Sequence, residues 1–260
     1  MTAVPVDPLA AFRLDGQVAV VTGASSGLGE RFARVLHSVG ATVVVGARRV
    51  DRLQALAESL GERCIPVELD VTDEQQCRAI IDTAVQVAGG RLDVLVNNAG
   101  VSFIGPAEDE SFEQFESVVD VNLNGVFRLS KLAYEPMVTS GGGTIVNIAS
   151  ILGLVAATPV KQASYCASKG AVVNLTRELG AQWARRGVRV NAIAPGWFPT
   201  EMTADMWGDE ASERFVATNA PLGRPGADDE LDGALLFLAS SASSYVIGQT
   251  LVVDGGWTAR

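Results

Sequence analysis

Histidine is almost missing from this chain: His37 is the only one in 260 residues. It sits inside an apparent helix, so a His-built zinc site or a Ser-His-Asp triad would have to be assembled around it alone. Hydrolytic chemistry of the α/β-hydrolase kind has no base to draw on. Cysteine is also sparse. Cys64, Cys77 and Cys166 are odd in number and lack CxxC spacing, which excludes a disulfide framework and suits reduced, buried thiols in a cytoplasmic protein. Positive charge is scarce as well, with 20 Lys and Arg against 30 Asp and Glu and a net charge of −10. No block of basic residues tracks a phosphate backbone, so neither nucleic acid nor an anionic membrane surface is an expected partner.

Long apolar runs are absent too. The opening MTAVPVDPLAAFRLDG carries no basic segment followed by an apolar stretch, and no later segment is a membrane span. We expect a flexible extension over residues 1–13. No Pro/Gly/Ser-rich linker and no internal repeat divides the remainder, so residues 14–260 are expected to form one domain with a substrate lid over about residues 197–222.

What the chain does contain is alternation. Apolar, β-branched runs at 17–22, 41–46, 64–69, 92–97, 143–149, 188–193 and 249–254 are separated by helical patterns near 28–39, 50–60, 73–88, 111–139, 164–186 and 228–240. Strand and helix in strict turn predict an α/β fold: a Rossmann-type, doubly wound parallel sheet covered on both faces. Ligands of such sheets bind beyond the carboxyl ends of the strands, so candidate residues are sought there.

TGASSGLG follows the first strand and opens the first helix. Gly23, Gly27 and Gly29 allow a tight turn and close approach of a ligand, and Ser25, Ser26 and Leu28 bring the helix N-terminus to it, where free N–H groups suit a pyrophosphate. The spacing is G-x-x-x-G-x-G, not G-x-G-x-x-G. The second strand ends in Gly46-Ala47-Arg48-Arg49, with no carboxylate for a ribose 2′-hydroxyl. Guanidinium groups pair with phosphate, so Arg48 and Arg49 favour NADP(H), with NAD(H) as the alternative. Asp70 and Val71 end the third strand, where Asp70 either accepts the adenine amino group or closes a turn. Asn97, Ala99 and Gly100 end the fourth, as cofactor contacts or as an Asx-type turn.

The motifs TGASSGLG, LDV, NNAG, the Asn122 of VNLNG, the Ser150 of NIAS, YCASK and Pro195-Gly196 resemble, in order and interval, those of the short-chain dehydrogenase/reductase family from about Leu14 to Gly256. The resemblance implies seven parallel strands, one domain per subunit and a homotetramer or dimer. It also implies roles. Ser150 holds the substrate oxygen, Tyr165 is the general acid/base, Lys169 supports it and binds the nicotinamide ribose, and Asn122 holds a water of the proton relay. Pro195, Gly196, Phe198 and Thr200 lie over the nicotinamide, and VIGQTLVVDGGW packs across a subunit interface, with Trp257 buried there.

Tyr165 and Lys169 are four residues apart, one helical turn, so both face the same way. A phenol with an ordinary pKa of about 10 needs a positive neighbour to work as a base near neutral pH, which is the role this spacing gives Lys169. Cys166 is read as a packing residue. The Ser150-to-Tyr165 interval is longer than the family's, so the loop LGLVAATPVKQA is expected to carry an insertion beside the substrate. In the lid, Met202, Met206, Trp207 and Phe215 either line an apolar pocket or pack on the domain.

The functional expectation is reversible hydride transfer between a nicotinamide and a small carbonyl or secondary alcohol. One alternative is a 3-oxoacyl-carrier-protein reductase. Arg186 is available for an acidic carrier, but the connector MVTSGGGT lacks Lys and Arg, and the net charge opposes docking. Another is a dinucleotide-binding sensor without chemistry, against which stands the presence of Asn122, Ser150, Tyr165 and Lys169 together.

Overall fold

Period-two burial along each strand builds the core. In the computed structural model, which describes residues 7–259, Ala19 and Val21 of strand β1 (Val18–Thr22) face one apolar cluster while Val18 and Val20 face the other. Helix α1 (Gly27–Ser38) leads to β2 (Thr42–Ala47), where Val43 and Val45 join the first cluster and Val44 the second. Side chains that alternate between two buried faces require helices on both sides.

The chain supplies them in turn. After β2 come α2 (Val50–Leu60), β3 (Cys64–Glu68), α3 (Glu74–Val87) and β4 (Val94–Asn97). Asp73 caps α3 by accepting from the Gln75 and Gln76 amides. Helices α4 (Phe112–Val119) and α5 (Gly125–Thr139) follow, then β5 (Gly143–Ile148), α6 (Ala163–Trp183), β6 (Val188–Pro195), α7 (Glu210–Asn219), α8 (Asp232–Ala239) and β7 (Thr250–Val253). Residues of α1, α2 and α8 fill one face of the sheet, and those of α3, α5 and α6 the other.

The sheet is parallel throughout, in the order β3-β2-β1-β4-β5-β6-β7. The order reverses between β1 and β4, so their connections leave on opposite sides and open a crevice at their carboxyl ends. Five of the seven strands fall within the expected segments, while β2 runs one residue further, to Ala47, and β6 two further, to Pro195. The helical sequence expected near 111–139 forms two helices, joined by a π turn over Asp120–Asn124, and the lid holds a helix of its own, α7.

Of the extension expected at 1–13, residues 1–6 lie outside the described ones. Ala10–Phe12 forms a 3-10 turn whose Ala11 carbonyl accepts from Ser241 Oγ at 3.0 Å, and Leu14 is fully buried.

Phe32, on α1 just behind the glycine-rich turn, is fully buried against the sheet. Phe32→Ala is expected to lower the unfolding free energy by about 3–5 kcal/mol, because the vacated volume in a β-sheet-backed core collapses only in part. Urea unfolding followed by far-UV circular dichroism measures it.

Candidate active site

One cleft of about 780 Å³ runs along the carboxyl edge of the sheet and gathers residues from every segment after β1, β2, β3, β4, β5 and β6. Gly23, Ser25, Ser26, Gly27, Leu28 and Gly29 form its floor at the start of α1. A Cβ on Gly29 would lie 2.3 Å from the Gly23 carbonyl oxygen, so no larger residue closes this turn. Ser26, the residue before α1, makes no side-chain cap bond, which leaves the first-turn amides of a 12-residue helix facing the cleft. This is a cradle for an anion, and the residues present fit the pyrophosphate of a dinucleotide.

Arg48 and Arg49 line the same end. Arg49 donates to Ser25 Oγ at 3.0 Å and to Ser26 Oγ at 2.7 Å, which ties the end of β2 to the turn after β1. Asp70 closes a turn, its Oδ1 accepting from the Thr72 amide and hydroxyl, which holds its carboxyl below the usual range, and with Val71 it lines the cleft.

Beyond β4, Ala99 and Gly100 line the cleft but Asn97 does not. Its side chain is buried beneath the sheet edge, donating to Asn147 Oδ1 at 2.9 Å and Ser130 Oγ at 3.1 Å, so its expected contact with a cofactor is corrected to a brace in the interior. Period two explains this: the last residue of β4 and its successor point to opposite sides. The successor, Asn98, is the one in the cleft wall. It donates to the Thr22 carbonyl at 2.9 Å and pins the ends of β1 and β4 together, a role legible in the same NNAG motif one position on.

The catalytic candidates converge at the ends of β5 and α6. Ser150 follows β5 and caps a 3-10 turn (Ile151–Gly153), its Oγ accepting from the Leu152 amide at 3.1 Å. That turn lies directly on α6, since a Cβ on Gly153 would come within 2.6 Å of the Lys169 backbone. Contact between Gly153 and α6 therefore sets Ser150 opposite Tyr165. Lys169 Nζ donates to the Ile148 carbonyl at 2.7 Å and stands 5.6 Å from the centre of the Tyr165 ring.

Burial governs both titrations. It pushes Lys169 down to about 8, and it raises the Tyr165 phenol above its ordinary value, with a hydrogen bond to Ser150 pulling the other way. Desolvation of the phenolate thus outweighs the hydrogen bond with Ser150, and the Lys169 ammonium is engaged by the Ile148 carbonyl.

Asn122 sits in the π turn between α4 and α5, fully buried. Its Oδ1 accepts from the Val101 amide at 2.9 Å, and its Nδ2 donates to the Val101 carbonyl at 2.9 Å and Ser168 Oγ at 3.1 Å. The side chain locks the segment after β4 to α6 and does not line the cleft. A π turn adds a residue to the helix and rotates the turns beyond it, the device that aims Asn122 at Val101.

Pro195, Gly196, Phe198 and Thr200 form the opposite wall. Trp197 turns away and packs with Phe215 and Trp257, ring centres 5.4–6.3 Å apart. Met206, Trp207 and Phe215 pack around this cluster with Cys166, so of the four lid residues considered only Met202 faces the cleft. Trp257 packs against Trp197 and Phe215 of its own chain and stays partly exposed.

A buried lysine with a depressed pKa makes stability depend on pH. Between about pH 8 and 10.5 the unfolded chain holds a proton on Lys169 that the folded protein does not, so raising pH through this window favours folding. Relative to Lys169→Met, the wild type is expected to gain up to about 1.4 kcal/mol per pH unit there and to show no pH-dependent difference below it. Paired urea titrations at several pH values test the slope.

The comparisons agree with this geometry. A family model described as enoyl-(acyl carrier protein) reductase matches residues 23–258. The chain is 42% identical to the galactitol 2-dehydrogenase (L-tagatose-forming) of Cereibacter sphaeroides, over 95% of this chain and 97% of that one. It is 38% identical to the 3-oxoacyl-[acyl-carrier-protein] reductase of Thermotoga maritima, over 94% and 98%. Among solved structures, a gluconate 5-dehydrogenase from Burkholderia cenocepacia in complex with NADP and tartrate superposes with a TM-score of 0.92 at 38% identity, covering 98% of this chain and 100% of the other. With this fold and these relatives over nearly its whole length, the chain is an NAD(P)(H)-dependent oxidoreductase and belongs to the short-chain dehydrogenase/reductase family.

Proposed function

We propose that this oxidoreductase uses NADP(H) in preference to NAD(H) and interconverts a small, uncharged secondary alcohol and its ketone. The observation that carries the cofactor preference is the pair Arg48 and Arg49 on the cleft wall after β2, with no carboxylate at that strand end. The Arg49 guanidinium beside Ser25 and Ser26, with Arg48 on the same wall, offers a phosphate both charge and directed donors.

A nicotinamide cofactor, when bound, would supply the hydride or accept it. The rest falls to side chains. Tyr165 gives a proton to the carbonyl oxygen in reduction and takes it back in oxidation, and Ser150 holds the same oxygen. Lys169 provides a positive charge one turn away, held in place by Ile148. Asn122 positions both by fastening Val101 and Ser168.

The substrate class follows from charge. Among the described residues lining the cleft, the cations are Arg48, Arg49 and Lys169, and the first two stand at the end given to the cofactor phosphate. A sugar acid would find only Lys169, already engaged by Ile148; Val101, Ser102, Ser150 and Met202 suit a polyol or cyclic alcohol. Exposed Phe112, Phe115 and Phe127 on α4 and α5 support a homo-oligomer, and the free, buried Cys64 and Cys77 support a cytoplasmic location.

Two measurements test this reading. Equilibrium binding followed by cofactor fluorescence is expected to favour NADPH over NADH, and Arg48→Ala to weaken NADPH by about ten- to a hundredfold with NADH little changed; equal binding of both cofactors by the wild type overturns the preference. Steady-state kcat/KM, with Tyr165→Phe as the blank, is expected to be about tenfold or more higher for neutral alcohols such as galactitol or cyclohexanol than for gluconate. Faster turnover of gluconate, or of an acyl-carrier substrate, refutes the substrate class.

A further inference from the structure

Glu201 belongs to the lid by sequence, yet its carboxylate lies with the arginines at the far end of the cleft from Tyr165. Its Oε2 accepts from Arg49 Nη2 at 2.8 Å, and its Oε1 pairs with Arg52 Nη1. The same Arg49 nitrogen donates to Ser25 and Ser26. An anion thus already occupies the arginine and serine cage where the proposed function places the cofactor's 2′-phosphate. Arg49, Arg52 and Ser26 together hold that carboxyl down at about 2, so it is an anion throughout the working range.

The three partners are each about half exposed, and pairs of that kind are weak enough to be exchanged for a stronger anion. A phosphate brings more charge and more acceptor oxygens than a carboxylate. Both cannot hold the same Arg49 nitrogen in full.

We propose that Glu201 is a specificity-determining residue: an internal anion that competes with the 2′-phosphate of NADP(H) for Arg49 and so limits the discrimination between NADP(H) and NAD(H). The inference rests on the NADP(H) reading above. It also links the two ends of the cleft. Glu201 begins the 3-10 turn Glu201–Met206, in which Thr203 Oγ1 donates to the Phe198 carbonyl at 2.7 Å and accepts from Trp207 Nε1 at 2.9 Å. Displacing Glu201 therefore acts on a turn fastened to the wall over the nicotinamide.

Isothermal titration with 2′,5′-ADP, which carries the phosphate, and with 5′-AMP, which lacks it, isolates this end of the cleft without any turnover. Glu201→Gln is expected to tighten 2′,5′-ADP by about two- to fivefold, the range of an exposed ion pair, and to leave 5′-AMP unchanged. In an Arg49→Ala background the gain is expected to vanish, which separates competition for Arg49 from a general change of charge or of folding. Wild type that binds 2′,5′-ADP more tightly than 5′-AMP, with Glu201→Gln lowering or not changing that affinity, overturns the competition and leaves the NADP(H) reading standing. Wild type that binds both equally overturns the two together.

Discussion

An ammonium group with almost no access to water, held by one backbone carbonyl, is the constraint around which this molecule is arranged. Lys169 reaches Ile148 only because α6 lies across the carboxyl end of β5. That placement has two consequences. Tyr165, a turn earlier on α6, is carried to the same spot, and Ser150, two residues past Ile148, is carried opposite it. The bare backbone of Gly153 lets the Ser150 turn touch the helix directly. Burial makes the lysine costly as a cation and brings its pKa down to about 8.

The cleft is divided by charge. Arginines, serines and free helix amides gather after β1 and β2, where a dinucleotide's phosphates belong, and a single buried lysine serves the catalytic end. Between them runs wall without ionisable groups, from Ala99 to Ser102 on one side and from Pro195 to Phe198 on the other. Such segregation orients a long ligand that is anionic at one end and reactive at the other. Asp70 and Glu201 are the carboxylates in this lining, and Glu201 is an anion that chain order places with the lid and that a through-space ion pair draws to the arginines.

The lid shows where residue type stops being informative. Met206, Trp207 and Phe215 are apolar enough for a substrate pocket or a core, and the structure uses them for a core around Trp197, Val216 and Trp257. Nothing local distinguishes the two uses, because apolar burial is non-directional and is satisfied by whichever surface arrives. Asn97 and Asn98 teach the converse. Both are amides in one motif, and which of them reaches the cleft depends only on the parity of the strand.

By itself the sequence determined the alternation of strands and helices, hence the doubly wound sheet, and it determined the spacing of Tyr165 and Lys169 on one helical face. These are local matters of side-chain period and turn chemistry, carried by neighbours in the chain. Only the tertiary structure decided that Asn97 braces the interior, that the helical sequence at 111–139 is interrupted by a π turn at Asn122, that the Tyr165 phenol is raised by burial, and that Glu201 faces Arg49. Each depends on a desolvation, or on a contact between segments far apart in the chain, whose energy exists only once the sheet has closed the distance between them.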